Sequence, residues 1–306
     1  MVRPLLITVV GPTAIGKTRL AVSLARHFET EVISADSRQF FREMSIGTAV
    51  PTEEEQEGIQ HHFVQHISVE QPYSVGDFER DALELINQLS TRHTTLIMAG
   101  GSGLYADAVL YGLDPFPEVD KGVREALMTT LEQEGLSALQ QELKESDPEY
   151  YNKVDLQNPH RLIRALEVIR SSGLPFSSFR NKAKVDRPFA SVLIGLKADR
   201  EVIYERINQR VDQMMEQGLE EEARALYPLR ELNALQTVGY KELFAYFDGE
   251  ISREMAVDRI KQNTRRFAKR QLTWFRKNKE IQWFDHDSSL EEVVGFIEQY
   301  RGGLGG

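Results

Sequence analysis

The chain has 306 residues and no cysteine, with 41% hydrophobic and 27% charged residues and a formal net charge of -10. That length accommodates one large domain or two smaller ones with an ample core. The lack of cysteine excludes disulfides, thiolate zinc sites and cysteine nucleophiles. The longest apolar stretch near the N-terminus falls far short of the ~20 residues that cross a bilayer, so the chain is read as cytoplasmic and free of the membrane.

Leu5 to Val10, LLITVV, is an apolar run carrying one threonine, as a strand buried on both faces of a parallel sheet can be. GPTAIGKT (11–18) follows it and opens a helix predicted over about 17–28. EVISADS (31–37) gives a second strand, ending on the carboxylate of Asp36. Phe78, Ala82, Leu85, Ile86 and Leu89 mark a helix over about 77–90, and TTLIMAGGSG (94–103) a third strand running into a glycine turn. This alternation predicts an α/β fold with a doubly wound parallel sheet, whose ligands gather at the C-terminal strand ends. Two prolines in GLDPFPEVDKG (112–122) break the pattern, and 123–173 reads as helical throughout. We take 114–188 as a helical insertion in a core formed by 1–113 and 189–306. SVLIGL (191–196) is another strand, the chain is then helical to about Lys279, IQWFD (281–285) is a short strand, and a last helix ends in GGLGG, read as a flexible tail.

Gly11, Gly16, Lys17 and Thr18 satisfy G-x-x-x-x-G-K-[ST] in the strand-to-helix context that a phosphate loop needs. Glycines let successive backbone N–H groups of such a loop curl around a phosphate, and the helix N-terminus adds positive potential. Lys17 is expected to reach the terminal phosphate and the Thr18 hydroxyl to ligate Mg²⁺. No N-K-x-D segment occurs, and the third strand ends without an acid. Asp36 is thus the one carboxylate at a core strand end, expected beside the loop on the reading that Val10 and Ala35 end neighbouring strands. It fits either a Mg²⁺ ligand in a kinase or a general base toward an acceptor, and spacing alone leaves both open.

Between Arg259 and Lys279 stand nine Lys or Arg and no acid. One-sided charge in an acidic protein points to an anionic partner, nucleic acid foremost. Phe267, Trp274 and Phe275 lie among these cations, either as part of that surface or as a core stripe. In QNPHRLIRALEVIR (157–170), Asn158 and Pro159 start a helix that carries His160, Arg161 and Arg164 on its first turns. His61, His62 and His66 lack metal-ligand spacing and are read as packing or loop-bonding residues.

Taken together, GPTAIGKT, SADSRQFFREMSIGTAVP (34–51), GIQHHF (58–63), YSVGDFERDA (73–82), AGGSGLY (99–105), NPHRLIRALEV (158–168), MMEQGLEEE (214–222), LQTVGYKEL (235–243) and TRRFAKRQLTWFR (264–276) resemble the tRNA dimethylallyltransferase, or tRNA isopentenyltransferase, family over about 5–285. The resemblance implies a P-loop NTPase-like core with a helical insertion that grips the tRNA anticodon stem-loop. It also implies Mg²⁺ dependence and transfer of a dimethylallyl group from dimethylallyl diphosphate to N6 of adenosine 37. Diphosphate is then a leaving group held by Gly11, Pro12, Thr13, Ala14, Ile15, Gly16, Lys17 and Thr18. Asp36 takes the role of catalytic base, and Arg210, with Arg206 as second choice, contacts the diphosphate.

By the same resemblance the tRNA contacts are Asp36, Ser37, Arg38, Gln39, Ser102, Arg124, His160, Arg161, Leu162, Ile163, Arg164, Gln236, Thr237, Val238, Gly239, Tyr240 and Lys241, and the chain acts as a monomer. Three positions depart from the family pattern. Val50 stands where lysine is usual, Phe41 where tyrosine is common and Ser102 where threonine is common. An adenylate isopentenyltransferase, a small-molecule kinase and a noncatalytic RNA-binding protein are the rival readings. The basic segments weigh against the first, and Asp36 with a complete phosphate loop weighs against the last.

Overall fold

The computed structural model describes residues 3–180 and 185–304. In chain order, β1 (Leu5–Val10) leads to α1 (Lys17–His27), β2 (Val32–Ser34), α2 (Glu53–Gln56), β3 (His61–His62), α3 (Val75–Leu89), β4 (Thr95–Gly100) and α4 (Gly103–Tyr111). Then come α5 (Lys121–Glu134), α6 (Leu136–Ser146), α7 (Pro148–Tyr151), α8 (Pro159–Ser172), β5 (Ala190–Lys197), α9 (Arg200–Glu216), α10 (Leu219–Leu226), α11 (Tyr240–Phe247), α12 (Arg253–Phe275), β6 (Gln282–Asp285) and α13 (Leu290–Leu304).

The six strands form one parallel sheet in the order β3-β2-β4-β1-β5-β6. Every residue of β1 is buried, and its side chains alternate between two cores. Leu5, Ile7 and Val9 pack with Leu24, Ile203, Ile207 and Ile297 on one face, while Leu6 and Val10 pack with Phe78, Ile86 and Val109 on the other. Each such fully buried aliphatic side chain contributes roughly 1.5–3 kcal/mol, so the long apolar strands take the middle of the sheet.

That ordering corrects one expectation. Ala35 does not end a strand next to β1, because β4 lies between β1 and β2, pairing Val10 with Gly100 on one side and Ser34 with Ala99 on the other. The two-residue β3 and the short α2 carry too little periodicity to be foreseen. The final helix continues to Leu304 through Gly302 and Gly303, where a flexible tail was expected, and Gly305 and Gly306 lie outside the described residues.

The chain divides into two compact units, Met1–Tyr111 with Asp186–Gly306, and Gly112–Val185. Asp186, Arg187 and Pro188, assigned to the insertion from sequence, belong with Phe189 to the sheet unit. Arg3 pairs with Asp186, Arg187 donates to the Ala108 carbonyl at 2.6 Å and pairs with Glu79, and Phe189 is buried in the core.

Among its described residues the smaller unit has four α-helices, α5 to α8, over the stretch read as helical throughout. Gly135 separates α5 from α6 at φ 81°. The buried Asp147 caps α7, accepting from the Tyr150 N–H at 3.0 Å, and also accepts from the Ser177 N–H at 2.7 Å. Asn158 caps α8 by accepting from the Arg161 N–H at 3.3 Å. Leu127, Leu139, Leu143, Leu162 and Leu166 fill its core. Among the described residues no helix is long and apolar enough to cross a membrane.

Candidate active site at the phosphate loop

The loop between β1 and α1 is shaped by backbone that few residues tolerate. Gly11 sits at φ 148°, where a Cβ would stand 2.9 Å from the Leu196 carbonyl oxygen; Gly16 sits at 108° and Ala14 at 64°. The N-terminus of α1 has no side-chain cap and no acid in its first turn. Its first N–H groups are therefore left for an anion, which the helix dipole favours.

The charges agree with that geometry. Lys17 donates to the Pro12 carbonyl at 2.8 Å across the loop. Burial brings its ammonium down from 10.5 to about 8, opposed by Asp36 and assisted by Arg210. Arg38 and Arg210 are likewise held below the ordinary guanidinium value, chiefly by desolvation, which Asp36 partly offsets for Arg38 and Glu55, then Asp36, for Arg210. Three poorly solvated cations beside a cavity whose lining carboxylate is Asp36 form a site suited to an added negative charge.

Asp36 reaches this cluster across the end of β4 because that strand ends in glycine. A Cβ on Gly100 would overlap the Ala35 carbonyl, and one on Gly101 would lie 3.5 Å from Asp36 Oδ2. The acid-free MAGGSG segment is thus what lets a carboxylate two strands away approach the phosphate loop. Asp36 Oδ1 accepts from the Arg38 N–H at 3.3 Å, and Ser102 Oγ accepts from the Ser37 N–H at 3.0 Å.

A cavity opens from this point. Thr13, Asp36, Arg38 and Arg210 line its polar part, and Ile207, Val211, Met214, Leu219, Val238, Ile260 and Phe267 its apolar part. Its third side is the loop Gly47, Thr48 and Ala49, held from afar. Gln39 Nε2 donates to the Ala49 carbonyl at 2.8 Å. The Glu222 carboxylate accepts from the N–H groups of Ser45, Ile46 and Gly47 at 2.9, 2.8 and 2.9 Å and from the Tyr240 hydroxyl at 2.7 Å.

Burial and proximity to Glu222 push the Tyr240 phenol far above its ordinary value, so it stays a donor. A Cβ on Gly47 would come within 2.5 Å of that hydroxyl. Glycine is therefore required there.

The residues expected to touch RNA separate by exposure. Arg124, His160, Arg161, Arg164, Gln236 and Lys241 are exposed. Leu162, Ile163 and Tyr240 are not: the first two belong to the core of the smaller unit, and Tyr240 is 0% exposed with its hydroxyl on Glu222. Thr237 and Gly239 are also buried, Val238 and Gly239 line the cavity, and Gln39 braces its wall. The side chains of Leu162, Ile163 and Tyr240 thus shape the scaffold and present nothing to a ligand at the surface.

On α12, Lys261 pairs with Asp212 at 2.6 Å and Arg265 donates to Asn208 at 2.6 Å, whereas Arg259, Arg266, Lys269 and Arg270 are exposed. The three aromatics take three roles. Phe275 is core, Phe267 lines the cavity under Arg38 at 4.3 Å, and Trp274 stays 39% exposed with its indole N–H donating to Asp107 at 2.9 Å.

The histidines are engaged locally. His62 meets Glu31 at 2.6 Å, His61 Nδ1 lies 2.9 Å from the Ile59 carbonyl, and His66 packs against Phe40, Phe63 and Tyr73. Among the described residues no group of three or more His, Asp or Glu could hold a metal. A Mg²⁺ bound mostly through phosphate oxygens and water needs only one or two protein oxygens. The half-buried Thr18 hydroxyl at the start of α1 fits that donor set.

A family model described as IPP transferase matches residues 39–278. The chain is 58% identical over 293 residues to the tRNA dimethylallyltransferase of Christiangramia forsetii, covering 96% of this chain and 97% of that one. It is 54% identical to that of Flavobacterium johnsoniae, covering 95% and 96%. Its structure resembles the full-length tRNA isopentenylpyrophosphate transferase of Bacillus halodurans, with TM-score 0.72, 39% identity, and 97% and 95% of the two chains covered. It also resembles a eukaryotic dimethylallyltransferase described as acting on tRNA, with TM-score 0.82, 25% identity, and 98% and 80% covered.

Proposed function

The chain belongs to the IPP transferase family, and on that premise we propose that it is a tRNA dimethylallyltransferase, moving a five-carbon dimethylallyl group from dimethylallyl diphosphate to N6 of adenosine 37 in the anticodon loop. The observation that carries this reading is the cavity itself. One carboxylate, Asp36, stands among three cations at an anion-binding loop, and an aliphatic recess opens beside it.

The diphosphate fits the uncapped N–H groups at the start of α1, with Lys17 and Arg210 facing its oxygens. The alkyl chain fits the recess of Ile207, Val211, Met214 and Ile260. Breaking the C1–O bond leaves its electron pair on diphosphate, where preorganised donors stabilise the growing charge. The new bond forms between C1 and the adenine N6, a weak nucleophile, and Asp36 accepts the N6 proton as that bond develops. Mg²⁺, held by Thr18 and the diphosphate, supplies further charge neutralisation when bound.

Reaching N6 requires the adenosine to leave its stack. The exposed cations of α12 and those of α8, Arg161 and Arg164, supply phosphate contacts to the anticodon stem-loop. Every residue of the chemical step lies in the sheet unit of one chain, so a monomer suffices.

The test follows label from dimethylallyl diphosphate, in the presence of Mg²⁺, into unmodified tRNA or into AMP. Label in tRNA alone is expected; label in AMP, or retention of a transferred phosphate in any product, overturns the reading. Asp36→Ala is expected to lower the single-turnover rate by about 10²–10⁴, the range for a general base, with tRNA binding retained. An unchanged rate removes Asp36 from the mechanism.

A further inference from the structure

Gln271 lies on α12 within the basic segment, yet it is only 5% exposed and faces the sheet. Both ends of its amide are used. Oε1 accepts from the Thr13 N–H at 2.8 Å, and Nε2 donates to the Gly101 carbonyl at 2.9 Å. Thr13 belongs to the phosphate loop, and Gly101 is the residue after β4, the strand that separates β1 from β2.

Gly101 is bare for a reason. A Cβ there would overlap Gln271 Nε2 and stand 3.5 Å from Asp36 Oδ2. The Gln271 amide and the Asp36 carboxylate therefore share the space above Gly101, with the phosphate loop on the far side of the amide.

We propose that Gln271 is a positioning residue that fixes the phosphate loop, where the leaving group binds, at a set distance from the strand-end wall that carries the proton acceptor. This rests on the transfer reaction proposed above. In-line displacement is sensitive to ångström errors between the reacting groups, and among the described residues no other side chain bonds Thr13 and Gly101 at once.

The chemistry demands an amide. Only glutamine combines this length with one acceptor and one donor at its tip. A glutamate of the same shape turns an acceptor toward the Gly101 carbonyl oxygen and adds negative charge beside an amide of the anion site. Gln271→Glu thus changes the bonding while keeping the packing, and Gln271→Met keeps length while removing both bonds. Gly101→Ala displaces the amide from the other side. Once Gln271 is shortened to alanine the added methyl meets no amide, so Gln271→Ala and Gly101→Ala are expected to be strongly non-additive.

The experiment measures, for the full chain and each variant, the thermal midpoint, the affinity for inorganic pyrophosphate with Mg²⁺, the affinity for tRNA, and the single-turnover transfer rate at saturating substrates. Expected are unchanged tRNA affinity and a transfer rate lowered about 10²-fold in Gln271→Met and Gln271→Glu, the cost of an ångström-scale misplacement, with pyrophosphate binding weakened most in Gln271→Glu.

A lowered midpoint with transfer within threefold of wild type in both variants overturns the proposal and leaves Gln271 a packing residue. Additive effects of Gln271→Ala and Gly101→Ala also overturn it. Should the unaltered protein move no label into tRNA, the reaction assignment fails. The pyrophosphate affinities then still report whether Gln271 holds the loop, and equal values across the variants count against it.

Discussion

The phosphate loop and the wall loop at residues 45–49 are both irregular backbone facing one cavity, and both place an alanine in the left-handed region, Ala14 at φ 64° and Ala49 at φ 51°. Such a residue costs of order 1–3 kcal/mol and persists only where its surroundings over-determine it. The phosphate loop takes its shape from its own sequence, since Gly11 and Gly16 supply the turns, Lys17 bonds back to Pro12 and the helix begins at once, while Gln271 anchors it to the end of β4 through Thr13. The wall loop is held by residues far along the chain, Glu222 and Tyr240, with Gln39 nearby. A loop that carries its own conformation can be read from eight contiguous residues; one held by tertiary bonds cannot.

The contrast is tested first at the loop that holds itself. Lys17→Met removes a charge aimed at the leaving group without touching Gly11 or Gly16, and loss of one such donor is typically worth about 10²–10³ in rate. Single-turnover transfer should fall by that factor with the thermal midpoint unchanged or raised, since a partly desolvated ammonium is also removed. A rate within threefold of wild type would place the diphosphate elsewhere.

Glu222 probes the wall that is held from a distance. Its carboxylate is saturated by three backbone donors and one phenol. Glu222→Ala orphans all four, at about 1–3 kcal/mol for each buried group left unsatisfied, and should lower the thermal midpoint and raise the KM for dimethylallyl diphosphate. Glu222→Gln keeps two acceptor lone pairs but turns an NH₂ toward an N–H or the phenol. Its losses should be smaller and in the same direction, and the KM for tRNA should stay within threefold. If the KM for the allylic diphosphate is unmoved while the midpoint drops, the wall loop is scaffold alone.

What was legible follows the same division. The strand-loop-helix opening, the later strands and the helical insertion were visible because apolar runs and turn residues are local signals. The position of β2 was not, since sheet order depends on which strands bury both faces, and β4 claims the place beside β1. Asp36 was found from its strand end, although the adjacency argument was wrong; the glycines at 100 and 101 bring it within reach. Gln271 stood in plain view in AKRQLTWFR, an uncharged amide at an inward position among cations. Sequence could mark it as unusual but could not name Thr13 and Gly101 as its partners. Tyr240, Leu162 and Ile163 join the expected RNA contacts through the family resemblance, which carries over whole segments and does not separate a buried side chain from its exposed neighbours.

Titration gives a gentler test of the loop's charge. The folded protein holds Lys17 at about 8 against an ordinary 10.5, so between those values the unfolded chain binds the extra proton. Stability of the unliganded protein should therefore rise with pH across that interval, relative to Lys17→Met. Anion affinity should run the other way. Pyrophosphate prefers the charged ammonium, and binding should weaken progressively above about pH 8. Lys17→Arg, charged throughout, should lose that inflection even if its affinity is lower at neutral pH. An inflection that survives in Lys17→Arg would assign the titration to another group.

The smallest effect belongs to the second unit, where exposed charge rather than a bonded network faces the ligand. Arg161 follows the Asn158 cap by three residues and projects from the first turn of α8, while its neighbour Leu162 is 0% exposed. Arg164 is partly engaged, lying 3.5 Å from the buried Glu167 and 5.2 Å from the Phe116 ring centre, so the two cations are not equivalent. A lone surface arginine on a phosphate releases about one counterion, and its removal reduces the slope of log affinity against log salt by roughly 0.7–0.9. Arg161→Ala should therefore weaken tRNA binding modestly and flatten that slope by about one contact, leaving the transfer rate at saturation unchanged. Arg164→Ala should add a loss of thermal stability, because it also strips a partner from Glu167. An unchanged salt slope in both variants would move the stem-loop contact away from the start of α8 and leave the cations of α12 as the surface that holds the RNA.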